Sequence, residues 1–243
     1  MPARSFCCER FSRHERRAAP VTTFRLTLLR HGESVSNRAR RFTGWQDVEL
    51  SAEGRRQAQR AAAWLTAAGM DFDVGFTSHL QRASETLRIV LAAQGRDGVA
   101  VERSWRLNER HYGALQGLTW WGAALRYGPR RVVTWQRGFT ALPPPLPSGD
   151  PPSAAPAAES LRDMRARLLP YWRDTIAPAI RSGRRVLVVA HRNPLCALLG
   201  LLERPEHDEF ERPRIPTARP LVYELDAELR PLRRYYLPRE RGA

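Results

Sequence analysis

Two apolar runs, at residues 24–29 and 186–190, constrain this chain more than any other feature. Each has the length of a strand and reads as a central strand of a sheet covered on both faces. Each also ends in a histidine. The first run passes into Arg30-His31-Gly32-Glu33-Ser34, with Asn37 just beyond, and the second passes into His191. Open α/β sheets place their ligands at the C-terminal ends of the strands. One histidine there is as readily a core residue beside a turn, but two at the ends of central strands can meet at one edge of the sheet. Gly32, without a Cβ, lets backbone approach a ligand closely, and Arg30 and Asn37 supply donors suited to phosphate oxygens.

The remaining pattern alternates strands and helices. Residues 42–50 read as a loop, after which Ser51 caps a helix carrying Ala58, Ala61, Ala62, Leu65 and Ala68 at helical spacing, ended by Gly69. A strand at 74–77, a helix at 80–93 and a strand at 99–102 follow. Residues 142–156, dominated by proline, serine and alanine, form an extended loop. Leu161, Met164, Leu168, Trp172, Ile176 and Ile180 then repeat at three- or four-residue intervals in a long helix over 159–180, which Pro170 kinks. A helix at 195–202 and a strand at 221–225 complete the pattern. The expected fold is a single three-layer α/β/α domain over 21–243 with a mostly parallel central sheet. Residues 1–20 lack periodicity and are expected to be a disordered extension, with Val21 an alternative start.

The formal charge of +15 suggests nucleic acid, but its distribution does not. All 40 basic residues are arginine, and they are spread along the chain rather than gathered in a stripe with interleaved aromatics. The expectation is therefore no nucleic-acid partner and a positive field that draws in anionic substrates. No apolar stretch is long enough for a membrane span. The three cysteines, Cys7, Cys8 and Cys196, have neither metal-site nor redox spacing, so no metal is expected and a reducing cytoplasm fits best.

The motif around His31 is joined by a second run, Phe42-Thr43-Gly44-Trp45-Gln46-Asp47, and a third, Glu109-Arg110-His111-Tyr112-Gly113. Ser78 with Arg82, Glu159-Ser160-Leu161, His191 with Asn193, and Ile215-Pro216-Thr217 complete the set. Together they resemble cofactor-dependent phosphoglycerate mutase, of the histidine phosphatase superfamily, over about residues 24–237. The resemblance implies His31 as the phosphoryl-carrying nucleophile. It places Arg30, Arg82, His191 and Asn37 around the phosphoryl oxygens and makes Glu109 the group that shuttles a proton at the substrate oxygen. It assigns Thr43, Gly44, Arg110, His111, Tyr112, Arg137 and Asn193 to substrate binding. It further implies 2,3-bisphosphoglycerate as phosphoryl primer, a small phosphorylated acid as substrate, no metal, and a homo-oligomer.

Three departures bear on the far end of the substrate. Trp120 stands where the family has a pocket lysine, Gln136 replaces the first of two paired arginines and leaves Arg137, and Arg192 replaces the glycine after the second histidine. Each charge-assisted hydrogen bond contributes about 1.5–3 kcal/mol, so two lost cations weaken anion binding by orders of magnitude unless Arg192 or the nearby Arg126, Arg130 and Arg131 compensate. In a left-handed backbone conformation Arg192 would cost about 1–2 kcal/mol. Three readings follow. The first is a mutase interconverting 3-phosphoglycerate and 2-phosphoglycerate, and the second a phosphatase passing the same phosphohistidine to water. The third, a basic binding protein, does not need the set Arg30, His31, Arg82, Glu109 and His191.

Overall fold

The computed structural model describes residues 23–146, 156–203 and 212–238. The expected extension at 1–20, the alternative start at Val21 and residues 147–155 of the proline-rich loop lie outside the described residues. In chain order the elements are β1 (Phe24–Arg30), α1 (Val35–Arg38), α2 (Ala52–Ala67), β2 (Val74–Thr77), α3 (Gln81–Ala93) and β3 (Ala100–Arg103). Next come α4 (Trp120–Tyr127), α5 (Pro129–Arg137), α6 (Leu161–Tyr171) and α7 (Ala177–Arg181). The chain then runs through β4 (Val186–Ala190), α8 (Arg192–Glu203), β5 (Leu221–Leu225) and β6 (Pro231–Tyr236).

The strands form one sheet in the order β3-β2-β4-β1-β5-β6. The first four run parallel, while β5 and β6 pair antiparallel. Side chains alternate across the sheet. Leu187 and Val189 pack on one face with Ala61, Ala62 and Leu65 of α2 and Leu87 and Val90 of α3. Val186 and Val188 face the other way, onto Met164 and Leu168 of α6, Ile180 of α7, and Leu195 and Leu198 of α8. This is the three-layer α/β/α architecture read from the sequence. The apolar runs at 24–29 and 186–190 are the adjacent parallel strands β1 and β4 at its centre.

Several elements depart from the sequence reading. The helix expected over 159–180 is divided. Ser160 and Asp163 form a reciprocal cap at its start, α6 runs through Pro170 to Tyr171, and a π-helical turn (Trp172–Ile176) precedes α7. Proline lacks the N–H and crowds the carbonyl four residues earlier, yet α6 continues through Pro170, and the π-helical turn lies between it and Pro178 at the start of α7. Helix α8 begins at Arg192, three residues earlier than expected, with Pro194 tolerated in its first turn. Arg192 is thus right-handed helical, and the anticipated left-handed strain is absent. Helices α4 and α5 and strand β6 were not read from the sequence. Thr119 caps α4, and Pro129 opens α5 after Gly128, whose φ is +85°.

Candidate active site

The register of the central strands brings the two histidines together. Leu29 pairs with Val189 and Arg30 with Ala190, so His31 and His191 emerge side by side at the C-terminal edge. The His31 amide donates to the Ala190 carbonyl at 3.0 Å, and the imidazole centroids are 4.9 Å apart. Both rings are buried. His31 Nδ1 lies 2.6 Å from the Gly32 carbonyl, which can only accept, so Nδ1 carries the proton and Nε2 holds the free lone pair. His191 Nε2 lies 2.8 Å from the Ser78 hydroxyl. That hydroxyl oxygen also accepts from the Leu80 amide at 3.2 Å, and Nδ1 of His191 is buried without a hydrogen-bond partner among the described residues.

Burial is the main cause that lowers both histidines well below their ordinary pKa, and the Arg82 and Arg30 charges add to it. The His31 imidazole is therefore neutral at pH 7. Arg82 is buried and held by two main-chain carbonyls, with Nη1 donating to Gln46 at 2.9 Å and Nη2 to Gly44 at 2.8 Å. Burial lowers its guanidinium to about 10, which leaves it cationic at neutral pH. Arg30 donates from Nη1 to the Ile215 carbonyl at 2.9 Å, and its buried Nε has no partner.

Arg30, His31 and Arg82 line a cavity of about 220 Å³ that also takes in Asn37, Thr43, Gly44, Glu109, Tyr112, Trp120, Gln136, Arg192 and Asn193. Opposite the histidines, Glu109 Oε1 accepts from the Arg110 amide at 2.8 Å and from Asn193 Nδ2 at 2.9 Å. Asn193 Nδ2 also donates to the Tyr112 hydroxyl at 3.0 Å. Gly44 adopts φ +56°, and a Cβ there would fall 2.0 Å from Gln116 Oε1, so glycine is required where its carbonyl holds Arg82.

Not every residue assigned to substrate binding faces the cavity. His111 is buried behind it, its Nδ1 accepting from the Gly113 amide at 3.1 Å and its ring against Trp45. Arg110 is fully buried, its guanidinium 4.5 Å from the Tyr112 ring centroid. Arg137 is exposed at the end of α5, and its neighbour Gln136 lines the cavity instead. Asn37 does line it, yet its Oδ1 accepts from the Ser34 amide in the cap of α1, which leaves the amide NH2 for a ligand. Gly32 is needed for a different approach from the one expected. A Cβ there would meet the Gly54 carbonyl of α2 at 2.3 Å, so the close neighbour is protein backbone, not ligand.

Arg40 and Arg41 also line the cavity and were not read from the sequence, and Phe42, the first residue of the second motif run, lines it without having been assigned a role. Arg40 has φ +53°, a conformation with no signature in a chain so rich in arginine. Arg167 was missed as well, although it anchors the Glu109 segment from α6. Among the described residues no cluster of three or more His, Cys, Asp or Glu side chains is placed to hold a metal ion. None of the described helices is long and apolar enough to cross a membrane.

Comparison with known proteins identifies the fold and the superfamily. A mycobacterial glucosyl-3-phosphoglycerate phosphatase solved with VO3 is 29% identical with a TM-score of 0.66, the match covering 82% of this chain and 92% of that one. Bacillus stearothermophilus YhfR is 26% identical with a TM-score of 0.66, covering 83% of this chain and 91% of its own. A putative alpha-ribazole-5'-P phosphatase from Escherichia coli shares the fold, with a TM-score of 0.67 at 22% identity over 88% of this chain and 94% of that one. Residues 26–237 match the family described as histidine phosphatase superfamily (branch 1), and the chain belongs to that superfamily.

Proposed function

We propose that this protein is a phosphatase that hydrolyses a small phosphomonoester through a phosphohistidine at His31. One contrast carries the reading. His31, Arg30, Arg82 and Glu109 line one cavity, with the His191 ring 4.9 Å from that of His31, whereas Trp120 and Gln136, at positions where a mutase clamp has cations, line the same cavity without charge. A mutase must retain its bisphosphorylated intermediate while that intermediate turns over. A phosphatase needs only to release the leaving group and admit water. The mycobacterial phosphatase with VO3 and with inorganic phosphate lends the reading support.

In the first step the Nε2 lone pair of His31 attacks phosphorus and the bond to the ester oxygen breaks. Arg30, Arg82 and Nδ1 of His191 stabilise the charge spread over the phosphoryl oxygens. The short bond from His31 Nδ1 to the Gly32 carbonyl stabilises the positive charge that develops on the imidazole. Glu109, as the acid, protonates the departing oxygen. In the second step the Glu109 carboxylate takes a proton from water, the hydroxide attacks phosphorus, and the P–N bond breaks to return neutral His31 and inorganic phosphate. Water resolves the phosphoenzyme in this scheme, so no bisphosphate primer is required.

The mutase reading keeps one specific observation in its favour: the Glu109-Arg110-His111-Tyr112 segment is retained, and Glu109 and Tyr112 face the cavity. Phosphorus NMR separates the two. With 3-phosphoglycerate and catalytic 2,3-bisphosphoglycerate, the expected result is free phosphate without 2-phosphoglycerate. Primer-dependent 2-phosphoglycerate would instead establish the mutase.

A further inference from the structure

Strand β2 delivers a third side chain to the edge where the histidines meet. Thr77 pairs with Val189, and Val189 with Leu29. Strands β2, β4 and β1 therefore end within one residue of one another and release Ser78, His191 and His31 along one edge. Ser78 and His191 are both fully buried. The backbone around Ser78 is held from two directions. The Thr77 hydroxyl donates to the Val189 carbonyl at 2.8 Å, and the Thr77 carbonyl accepts from the Ser104 amide at 2.9 Å. On the other side the His79 amide donates to Asn108 Oδ1 at 3.1 Å. The Ser78 hydroxyl closes a turn with the Leu80 amide at 3.2 Å and lies 2.8 Å from His191 Nε2.

His191 is neutral at pH 7, because burial, with the Arg82 charge next, lowers it well below its ordinary pKa. A neutral imidazole carries one proton, and the two places for it have different consequences here. With the proton on Nε2, the ring donates to Ser78 Oγ. That oxygen then accepts twice, and among the described residues no acceptor takes the Ser78 proton. Nδ1 is at the same time a bare lone pair, which repels a phosphoryl oxygen. With the proton on Nδ1, the Ser78 hydroxyl donates to Nε2 and both of its hydrogen bonds are satisfied. Only the Nδ1 N–H then lacks a partner, a buried donor on the ring that lies 4.9 Å from His31. Such a donor is costly unless a ligand supplies the acceptor.

We propose that Ser78 is a positioning residue for His191: its hydroxyl donates to Nε2 and so holds the ring proton on Nδ1, where it meets a phosphoryl oxygen. Ser78 touches no substrate and acts through the imidazole. Both histidines then carry their proton on Nδ1 yet present opposite functions. The Gly32 carbonyl engages the proton of His31 and leaves a nucleophilic lone pair, whereas the Ser78 hydroxyl engages the lone pair of His191 and leaves a donor. The difference lies in the partner, since a carbonyl only accepts and a hydroxyl also donates. The proposal rests on the phosphatase reading only in taking a phosphoryl group as the ligand of Nδ1.

Nitrogen-15 NMR of histidine-labelled wild-type protein reads the tautomer directly, with His191→Ala identifying the signal. The expected state is a protonated Nδ1 and an unprotonated Nε2. A proton on Nε2 overturns the proposal without any substitution at Ser78. Calorimetry with inorganic phosphate tests the consequence. Ser78→Ala should weaken phosphate binding about tenfold, the preference one buried hydrogen bond supplies between tautomers. Ser78→Thr, which keeps the hydroxyl, should retain most of the affinity. In the His191→Ala background, Ser78→Ala should change the affinity by less than about twofold, because the residue it acts through is gone. A comparable loss in that background shows a structural role and overturns the proposal, as does an unchanged affinity in Ser78→Ala alone. Wild-type protein that binds no phosphate overturns both this proposal and the phosphatase reading. If the tautomer and the phosphate affinities behave as expected but the wild type hydrolyses no phosphomonoester, the phosphatase reading fails and the role of Ser78 stands.

Discussion

Arg167 and Glu159 form a buried ion pair, Nε to Oε1 at 2.6 Å, with side chains 7% and 4% exposed. The pair grips the backbone on both sides of Glu109. Arg167 Nη1 donates to the Arg106 carbonyl at 2.6 Å, and Nη2 donates to those of Asn108 at 2.9 Å and Glu109 at 3.0 Å. Glu159 Oε2 accepts from the His111 amide at 2.8 Å. A segment with little regular structure is thereby fixed, and with it Glu109, the residue proposed to move a proton at the substrate oxygen.

Arg167→Ala therefore strands Glu159 as an unpaired buried carboxylate, and the expected loss of stability is about 3–5 kcal/mol by urea denaturation. The double variant Arg167→Met with Glu159→Leu should recover much of that stability, since apolar replacement of a buried pair is often near neutral. It should not recover kcat, because the Arg167 donors to the Arg106, Asn108 and Glu109 carbonyls are lost and Trp45 Nε1 is left to hold the Glu109 carbonyl without them. Recovery of both together would show that the pair stabilises the fold without positioning Glu109.

The histidine pair sets a pH dependence of stability. Burial, reinforced by Arg82 and Arg30, depresses both His31 and His191 in the folded state. Below about 6.5 the unfolded chain takes up protons that the folded protein does not, so stability falls with falling pH. The contribution is complete above about 6.5 and is lost progressively as pH drops toward the folded-state values. Urea midpoints measured from pH 7.5 to 5 should fall for the wild type. They should fall less steeply for His31→Ala, which removes one of the depressed groups, His191 and the more weakly lowered His111 remaining. Parallel curves would mean that His31 is protonated in the folded protein.

The strands and the residues at their ends were legible because burial and chemistry coincide there. The runs at 24–29 and 186–190 are apolar for packing reasons, and each delivers a histidine at a fixed register. What escaped the sequence was held by backbone rather than side-chain pattern. Helix α4 carries Trp121 and Leu125 on its exposed face, at 78% and 92% exposure, so its apolar residues do not follow a buried stripe. Strand β6 is half-polar at the edge of the sheet, where water satisfies one side. Arg167 was hidden for another reason. In a chain with 40 arginines, composition cannot distinguish the few whose guanidinium is placed by main-chain carbonyls.

Gly32 shows how a motif residue can be required for packing rather than for contact with a ligand. A Cβ at Gly32 would lie 2.3 Å from the Gly54 carbonyl oxygen and 2.9 Å from its carbon, and a Cβ at Gly54 would lie 2.0 Å from the Glu33 carbonyl oxygen. Both contacts are with backbone, so no side chain can swing aside. The same junction is fastened by the Ser51 amide to the Glu33 carbonyl at 2.9 Å and by Ser51 Oγ to Glu33 Oε1 at 2.7 Å. Gly32→Ala must push the start of α2 away from the turn, at an expected cost of about 1–3 kcal/mol. It also displaces the carbonyl that fixes the His31 tautomer, so phosphoenzyme formation should slow by more than the stability loss alone explains. Gly98→Ala is the control, since nothing lies within 4 Å of a Cβ there. Rapid-quench measurement of phosphohistidine alongside urea midpoints separates the two effects. If Gly32→Ala lowers the midpoint but leaves the phosphorylation rate unchanged, the Gly32 carbonyl does not govern the nucleophile.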